Sequence, residues 1–244
     1  MIYYEEYGEK SNPTIVFLHG ANYVQSFVKQ YTLQERYHLV VPHITGYGKE
    51  TASTYTTEKV LEDILELLKT FNNKVTLVGF SLGAQLAVVL ASEHQELFNH
   101  VIAISPWIIK EEAFVNKMLK MNTTSYKMLK KRWGARFMGR TSGLNKAQAD
   151  ELAEYCQKLQ EQTLINSVDN KIDIRDYPQF ADVKIPVLAL AGVKEPQIVK
   201  DSIKAMADMN PNCTQEVWKK AAHNIPIACA KQLTERLDRI MRQY

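Results

Sequence analysis

The chain has 244 residues, 45% of them hydrophobic, enough apolar material for one domain with a substantial core or one domain plus a small insertion. A net charge of +3, with no basic blocks interleaved with aromatics, excludes a nucleic-acid-binding surface. The opening Met1-Ile2-Tyr3-Tyr4-Glu5-Glu6-Tyr7 lacks the basic and apolar regions of a signal peptide, and no apolar run approaches the ~20 residues needed to span a bilayer. The three cysteines, Cys156, Cys213 and Cys229, are scattered, odd in number and without metal-ligand spacing. A soluble, cytoplasmic protein in a reducing compartment, with no transmembrane segment, is the expectation.

In chain order, residues 1–7 read as a short strand ending at Gly8, followed by a turn through Pro13. Residues 14–18 are a continuous apolar run, the mark of a strand covered on both faces, and the run stops at His19-Gly20-Ala21-Asn22. A helix is expected over residues 24–35, with Asn22 in the role of N-cap, and a second buried strand over 37–41. The loop 42–50 holds Gly46-Tyr47-Gly48. Thr56-Thr57-Glu58 then opens an amphipathic helix whose apolar side carries Val60, Leu61, Ile64, Leu65, Leu67 and Leu68.

A β-branched run, Val75-Thr76-Leu77-Val78, ends abruptly in Gly79-Phe80-Ser81-Leu82-Gly83, after which residues 84–91 read as a buried helix. The pattern is strand, sharp turn, helix, with a serine at the apex. The flanking glycines are needed because a side chain at either would collide across so tight a turn. The serine hydroxyl is thereby held at a helix N-terminus, where backbone N–H groups favour developing negative charge. Another buried strand covers residues 101–105 and is stopped by Pro106.

From residue 107 to about 182 the patterning is helical with no convincing strand, which reads as an insertion. Residues 183–192 restore the sheet; a helix over 197–209, a strand near 214–218 and a final helix over about 227–243 complete the chain. Strands alternating with helices imply a mostly parallel, doubly wound α/β sheet with helices on both faces.

A serine hydroxyl needs a base within hydrogen-bond reach, and the base needs a carboxylate to orient it. Of the six histidines, His19 shapes the loop it begins, and His38, His43, His94 and His100 lie at strand, loop or helix positions away from the serine. His223 falls in the loop after the last strand, which in a parallel sheet opens at the same carboxyl edge as Ser81. It is the base, its alternative being a surface-loop histidine. Glu195 is the sole carboxylate in the loop after the strand 187–191, its alternative being a solvated loop residue, with Asp201 the fallback. The loop that begins Ser105-Pro106-Trp107 has no acid before Glu111. Backbone N–H groups of Leu82 and Ala21 are the expected donors to an oxyanion.

His-Gly after one strand, Gly-x-Ser-x-Gly after another, then an acid and a histidine in that chain order resemble the α/β-hydrolase superfamily over residues 14–106 and 183–244. The resemblance implies a core of residues 1–106 and 183–244 with a helical cap over 107–182. It also implies a Ser81–His223–Glu195 triad, an oxyanion hole at Ala21 and Leu82, and hydrolysis of a small or medium carboxylic ester through an acyl-enzyme without metal or organic cofactor. Thioesterases, carbon–carbon bond hydrolases, lyases and non-catalytic ligand-binding relatives share the same fold. Two departures stand out: the acid is a glutamate where aspartate is commoner, and His43 replaces the usual aspartate of the loop D-x-P-G-x-G. The insertion is electrically lopsided, with net charge +8 over residues 107–149 and −5 over 150–182. That asymmetry reads as two helical faces attracting each other or, alternatively, as a cation reaching the pocket for an anionic acyl group.

Overall fold

The computed structural model describes residues 1–170 and 172–244. Lys171, within the predicted insertion, lies outside the described residues. Seven strands form one sheet: β1 (Tyr4–Tyr7), β2 (Thr14–Leu18), β3 (His38–Pro42), β4 (Val75–Phe80), β5 (Phe98–Ile104), β6 (Val187–Gly192) and β7 (Cys213–Trp218). Their spatial order is β1-β3-β2-β4-β5-β6-β7, with β1 antiparallel to β3 and every other pair parallel.

The apolar runs belong to strands buried on both faces. Ile15 and Phe17 enter one layer with Phe27, Leu33, Leu233 and Leu237. Val16 and Leu18 enter the other with Ile64, Leu86 and Ile203. The second layer is closed by α1 (Thr57–Leu68), α2 (Leu82–His94) and α7 (Gln197–Met209). Helix α1 starts where Thr56 Oγ1 accepts the Lys59 N–H and buries Val60, Ile64, Leu67 and Leu68 on one side. Helix α2 is buried along its length from Leu82 to Ser92, between the sheet beneath it and the segment between β5 and β6.

The segment between β5 and β6 carries four helices, α3 (Glu112–Leu129), α4 (Arg132–Thr141), α5 (Lys146–Lys158) and α6 (Glu161–Val168). A capping box, Asn145 with Gln148, starts α5. The basic and acidic halves meet directly, Arg136 with Asp150 at 2.5 Å and Arg132 with Glu154 at 3.7 Å.

Two expected helices differ. Residues 24–35 form two short 3-10 turns, Val24–Phe27 and Tyr31–Glu35. No side chain caps either turn, and Gln25 within the first has a non-helical ψ of 16°. Buried Gln30 instead ties the segment to the far end of the chain, Nε2 donating to Pro226 O at 3.0 Å. Asn22 is no N-cap: its φ of 60° is left-handed, a conformation asparagine tolerates. The final helix is divided at Cys229 into α8 (Ile225–Ala228) and α9 (Ala230–Met241).

The turn after β4 is packed to the backbone. A Cβ on Gly83 would lie 2.1 Å from Leu18 O, and one on Gly79 would lie 2.2 Å from Gly83 O. No rotamer change relieves a collision with main chain. Gly83→Ala is therefore expected to destabilise the protein by at least about 3 kcal/mol in urea unfolding, and a loss under about 1 kcal/mol would contradict this packing.

Candidate active site

The strand order reverses between β2 and β4, and the loops that leave their carboxyl ends lie side by side because Leu18 pairs with Gly79. This is where an open α/β sheet leaves a crevice. Ser81 follows β4 with φ 52° and ψ −112°, a strained conformation for a residue with a side chain, and α2 begins at the next residue. The turn is held by Ser81 N–H donating to Ile104 O at 2.8 Å, and by Ala84 and Gln85 N–H donating to Ser81 O.

Glu195 follows β6 and His223 follows β7, again adjacent strands. Their loops are laced together by Val193 N–H to Trp218 O at 3.0 Å and Lys194 N–H to Ala221 O at 3.1 Å. The structure brings the three predicted side chains into one chain of hydrogen bonds. His223 Nδ1 lies 2.8 Å from Glu195 Oε2, and His223 Nε2 lies 3.1 Å from Ser81 Oγ. The carboxylate can only accept, so Nδ1 carries the proton and the Nε2 lone pair faces the serine. Glu195 is 5% exposed, whereas the His223 side chain is 51% exposed. Burial alone pushes the Glu195 carboxyl upward. Hydrogen bonds from His223, the Ser105 hydroxyl and Gly192 N–H, together with the charge of His223, outweigh it and hold the carboxyl below its ordinary value.

Ser105 was not singled out from the sequence. It follows β5, which lies between β4 and β6, and its Oγ donates to Glu195 Oε1 at 2.6 Å beside Gly192 N–H at 3.0 Å. Its φ of 54° is again left-handed, with its own N–H donating to Leu190 O at 2.6 Å. The available signal was position: a hydroxyl directly after a buried strand, at the carboxyl edge shared with the predicted acid. Asp201, the fallback acid, lies within α7 and bonds Gln197 at 2.8 Å.

Ala21 and Leu82 sit beside Ser81 in the wall of the same pocket. Their backbone N–H groups donate to no acceptor among the described residues, Leu82 because it is the first residue of α2. His19 shapes the Ala21 loop, as expected. Its Nε2 accepts Ile44 N–H at 2.9 Å, so Nδ1 carries the proton and donates to Gly20 O at 2.8 Å. Full burial lowers its pKa to about 3. His43 is likewise buried in the fold, its Nδ1 accepting Lys49 N–H at 3.0 Å.

The pocket has a volume of about 380 Å³. Met118, Met121, Leu129, Met138 and Leu152 from the insertion supply much of its apolar wall. Among the described residues no Lys or Arg lines the pocket, and Lys110 lies behind Gln85, with Nζ 3.3 Å from Gln85 Oε1. Among the described residues no cluster of His, Cys, Asp and Glu has metal-ligand geometry, and no helix is long and apolar enough to cross a membrane.

Residues 13–227 match the family model of the alpha/beta hydrolase fold, and the chain belongs to that family. No curated protein matches the chain in sequence. Among solved structures it is similar to the enol-lactonase of Burkholderia xenovorans LB400, at 19% identity and TM-score 0.77, over 99% of this chain and 96% of that one. It is similar to MenH of S. aureus at 18% identity and TM-score 0.74, over 100% and 99% of the two chains. A thermophilic esterase of Thermogutta terrifontis matches at 16% identity and TM-score 0.73, over 99% and 93%.

The buried histidines make a stability prediction. His19 and His100 are lowered by burial to about 3 and about 4 from an ordinary 6.5, so below pH 6.5 the unfolded chain binds protons that the folded one refuses. Their contribution is complete above pH 6.5 and is lost as pH falls toward those values, and Glu195 adds a further loss below its ordinary 4.5. The urea midpoint is expected to fall steadily from about pH 7 to about pH 4. A midpoint constant over that range would contradict the assignment.

Proposed function

We propose that the protein is a serine hydrolase that cleaves a small or medium carboxylic ester, with Ser81, His223 and Glu195 as its triad. The observation that carries the reading is the unbroken path from buried Glu195 through His223 to Ser81 Oγ, at 2.8 and 3.1 Å, beside two backbone N–H groups without acceptors among the described residues. In this reading residues 107–182 are a cap over the pocket and residues 1–106 and 183–244 are the hydrolase core. Three cysteines without a disulfide among them accord with action in the cytoplasm.

Ser81 Oγ attacks the acyl carbonyl as His223 Nε2 takes its proton. The carbonyl oxygen, now an oxyanion, receives the N–H groups of Ala21 and Leu82 at the positive end of α2. Collapse breaks the bond to the alkoxide, which leaves as the alcohol with the proton from His223. Water then attacks the acyl-enzyme, losing its proton to His223, and collapse returns that proton to Ser81 Oγ and releases the acid. Glu195 holds His223 in the required tautomer and stabilises its charged form. The methionine-rich wall suits an acyl chain of variable shape.

Ser81→Ala is expected to lower kcat on p-nitrophenyl butyrate by at least about 1,000-fold while the melting temperature stays that of a folded protein. Comparable turnover by the variant would remove Ser81 from its role. Ser105→Ala leaves Glu195 Oε1 with the Gly192 N–H alone; kcat is expected to fall about tenfold with KM little changed. Unchanged kcat would mean that Ser105 does not position the acid.

A further inference from the structure

The pocket wall contains one polar side chain whose orientation is dictated by its neighbours. Gln85 lies in the first turn of α2, four residues after Ser81, lines the same pocket and is 4% exposed. Asn170 Oδ1 accepts the Ile172 N–H at 3.1 Å, so the Asn170 amide must present Nδ2 the other way, and this donates to Gln85 Oε1 at 2.7 Å. Lys110 Nζ, which as an ammonium can only donate, lies 3.3 Å from the same oxygen. A reversed Gln85 amide would set donors against donors. Its Nε2 therefore points away from both, and it has no acceptor among the described residues although Gln85 lines the pocket.

A second donor belongs to another residue of the same pocket wall. Trp107 lines the same pocket, and its Nε1 is buried with no hydrogen-bond partner among the described residues. The two side chains share a neighbour, since Lys110 Nζ also lies 3.8 Å from the centre of the Trp107 ring. A buried N–H without an acceptor carries an uncompensated desolvation cost that a bound oxygen relieves. Asp169 and Asp173 act on the Lys110 charge, and Asp173 in turn is paired with Arg175 at 2.5 Å. Burial brings the Lys110 ammonium down to about 8 despite both aspartates.

We propose that Gln85 Nε2 and Trp107 Nε1 form a subsite for an oxygen acceptor, a ketone or a carboxylate, carried on the acyl chain of the substrate. The inference rests on the acyl-hydrolase reading above and narrows its substrate class from plain alkyl esters to esters of oxo- or dicarboxylic acids. Ser81 and Gln85 line one pocket at the start of α2, four residues apart, so the test uses acceptors about three bonds beyond the scissile carbonyl.

The test compares kcat/KM for the p-nitrophenyl esters of 4-oxopentanoate, hydrogen succinate and pentanoate in the wild type, Gln85→Glu and Trp107→Phe. Gln85→Glu keeps an oxygen for Lys110 and Asn170 and replaces the donor by an acceptor; Trp107→Phe keeps a ring against Lys110 and removes the indole N–H. The wild type is expected to favour the better of the two oxygen-bearing esters over pentanoate about tenfold. Gln85→Glu is expected to bring that ratio below one, and Trp107→Phe to lower it about threefold. Preference for the ketone or for the carboxylate supports the subsite equally, and their order reports whether the Lys110 charge is felt. A wild type that hydrolyses pentanoate as well or better overturns the subsite and leaves the hydrolase reading standing, as does a ratio unmoved in a Gln85→Glu protein of normal melting temperature. Wild-type protein that turns over none of the three esters overturns the hydrolase reading, and the subsite with it.

Discussion

The arrangement depends on one close approach of main chain to main chain. Helix α2 starts so near the end of β2 that Gly83 has room for a hydrogen only, with Leu18 O in the place a Cβ would take. That approach forces Ser81 to left-handed φ and points its side chain off the sheet. It also sets the first N–H groups of α2 beside the Ala21 loop. Strain of this kind persists only where the surroundings over-determine it. Here the ladder bond from Ser81 to Ile104 and the buried apolar body of α2 do so.

Around that turn, parallel pairing does the assembly. Loops after β2, β4, β5, β6 and β7 all emerge at one edge, so residues up to 142 positions apart in sequence become hydrogen-bonded neighbours. The electrostatics are graded along the same line. Glu195 is buried and satisfied by three donors, His223 is half open to the pocket, and Ser81 stands at the positive end of a helix. In the insertion, opposite charges are spent on each other through Arg136–Asp150 and Arg132–Glu154. Among the described residues the pocket wall carries no Lys or Arg, and Gln85 and Trp107 supply the amide and indole groups of the proposed subsite.

The fold was legible because its signals are local. Continuous apolar runs mark two-face burial, and Gly-x-Ser-x-Gly between a β-branched run and an apolar helix marks the turn. Loop position then put Ser81, Glu195 and His223 at one edge before any contact was known. What was not legible is what depends on tertiary partners. Residues 24–35 have helix-compatible composition, but Gln30 bonds to Pro226 O across the fold and draws the segment into two short turns. Asn22 looked like a cap because the helix it would have capped was expected to exist. Ser105 and Gln85 are ordinary polar residues in sequence, and only the geometry of their neighbours gives them a direction. The lopsided charge of residues 107–182 left two readings open, and the ion pairs Arg136–Asp150 and Arg132–Glu154 between its halves favour the plainer one.

The central claim is that His223 and Glu195 activate Ser81 in the free protein. It is tested most directly by intact-mass measurement after incubation with a fluorophosphonate, which forms a covalent adduct with an activated serine. The account predicts a single adduct on the wild type and none on Ser81→Ala. An unmodified wild type, or equal modification of the variant, would contradict it.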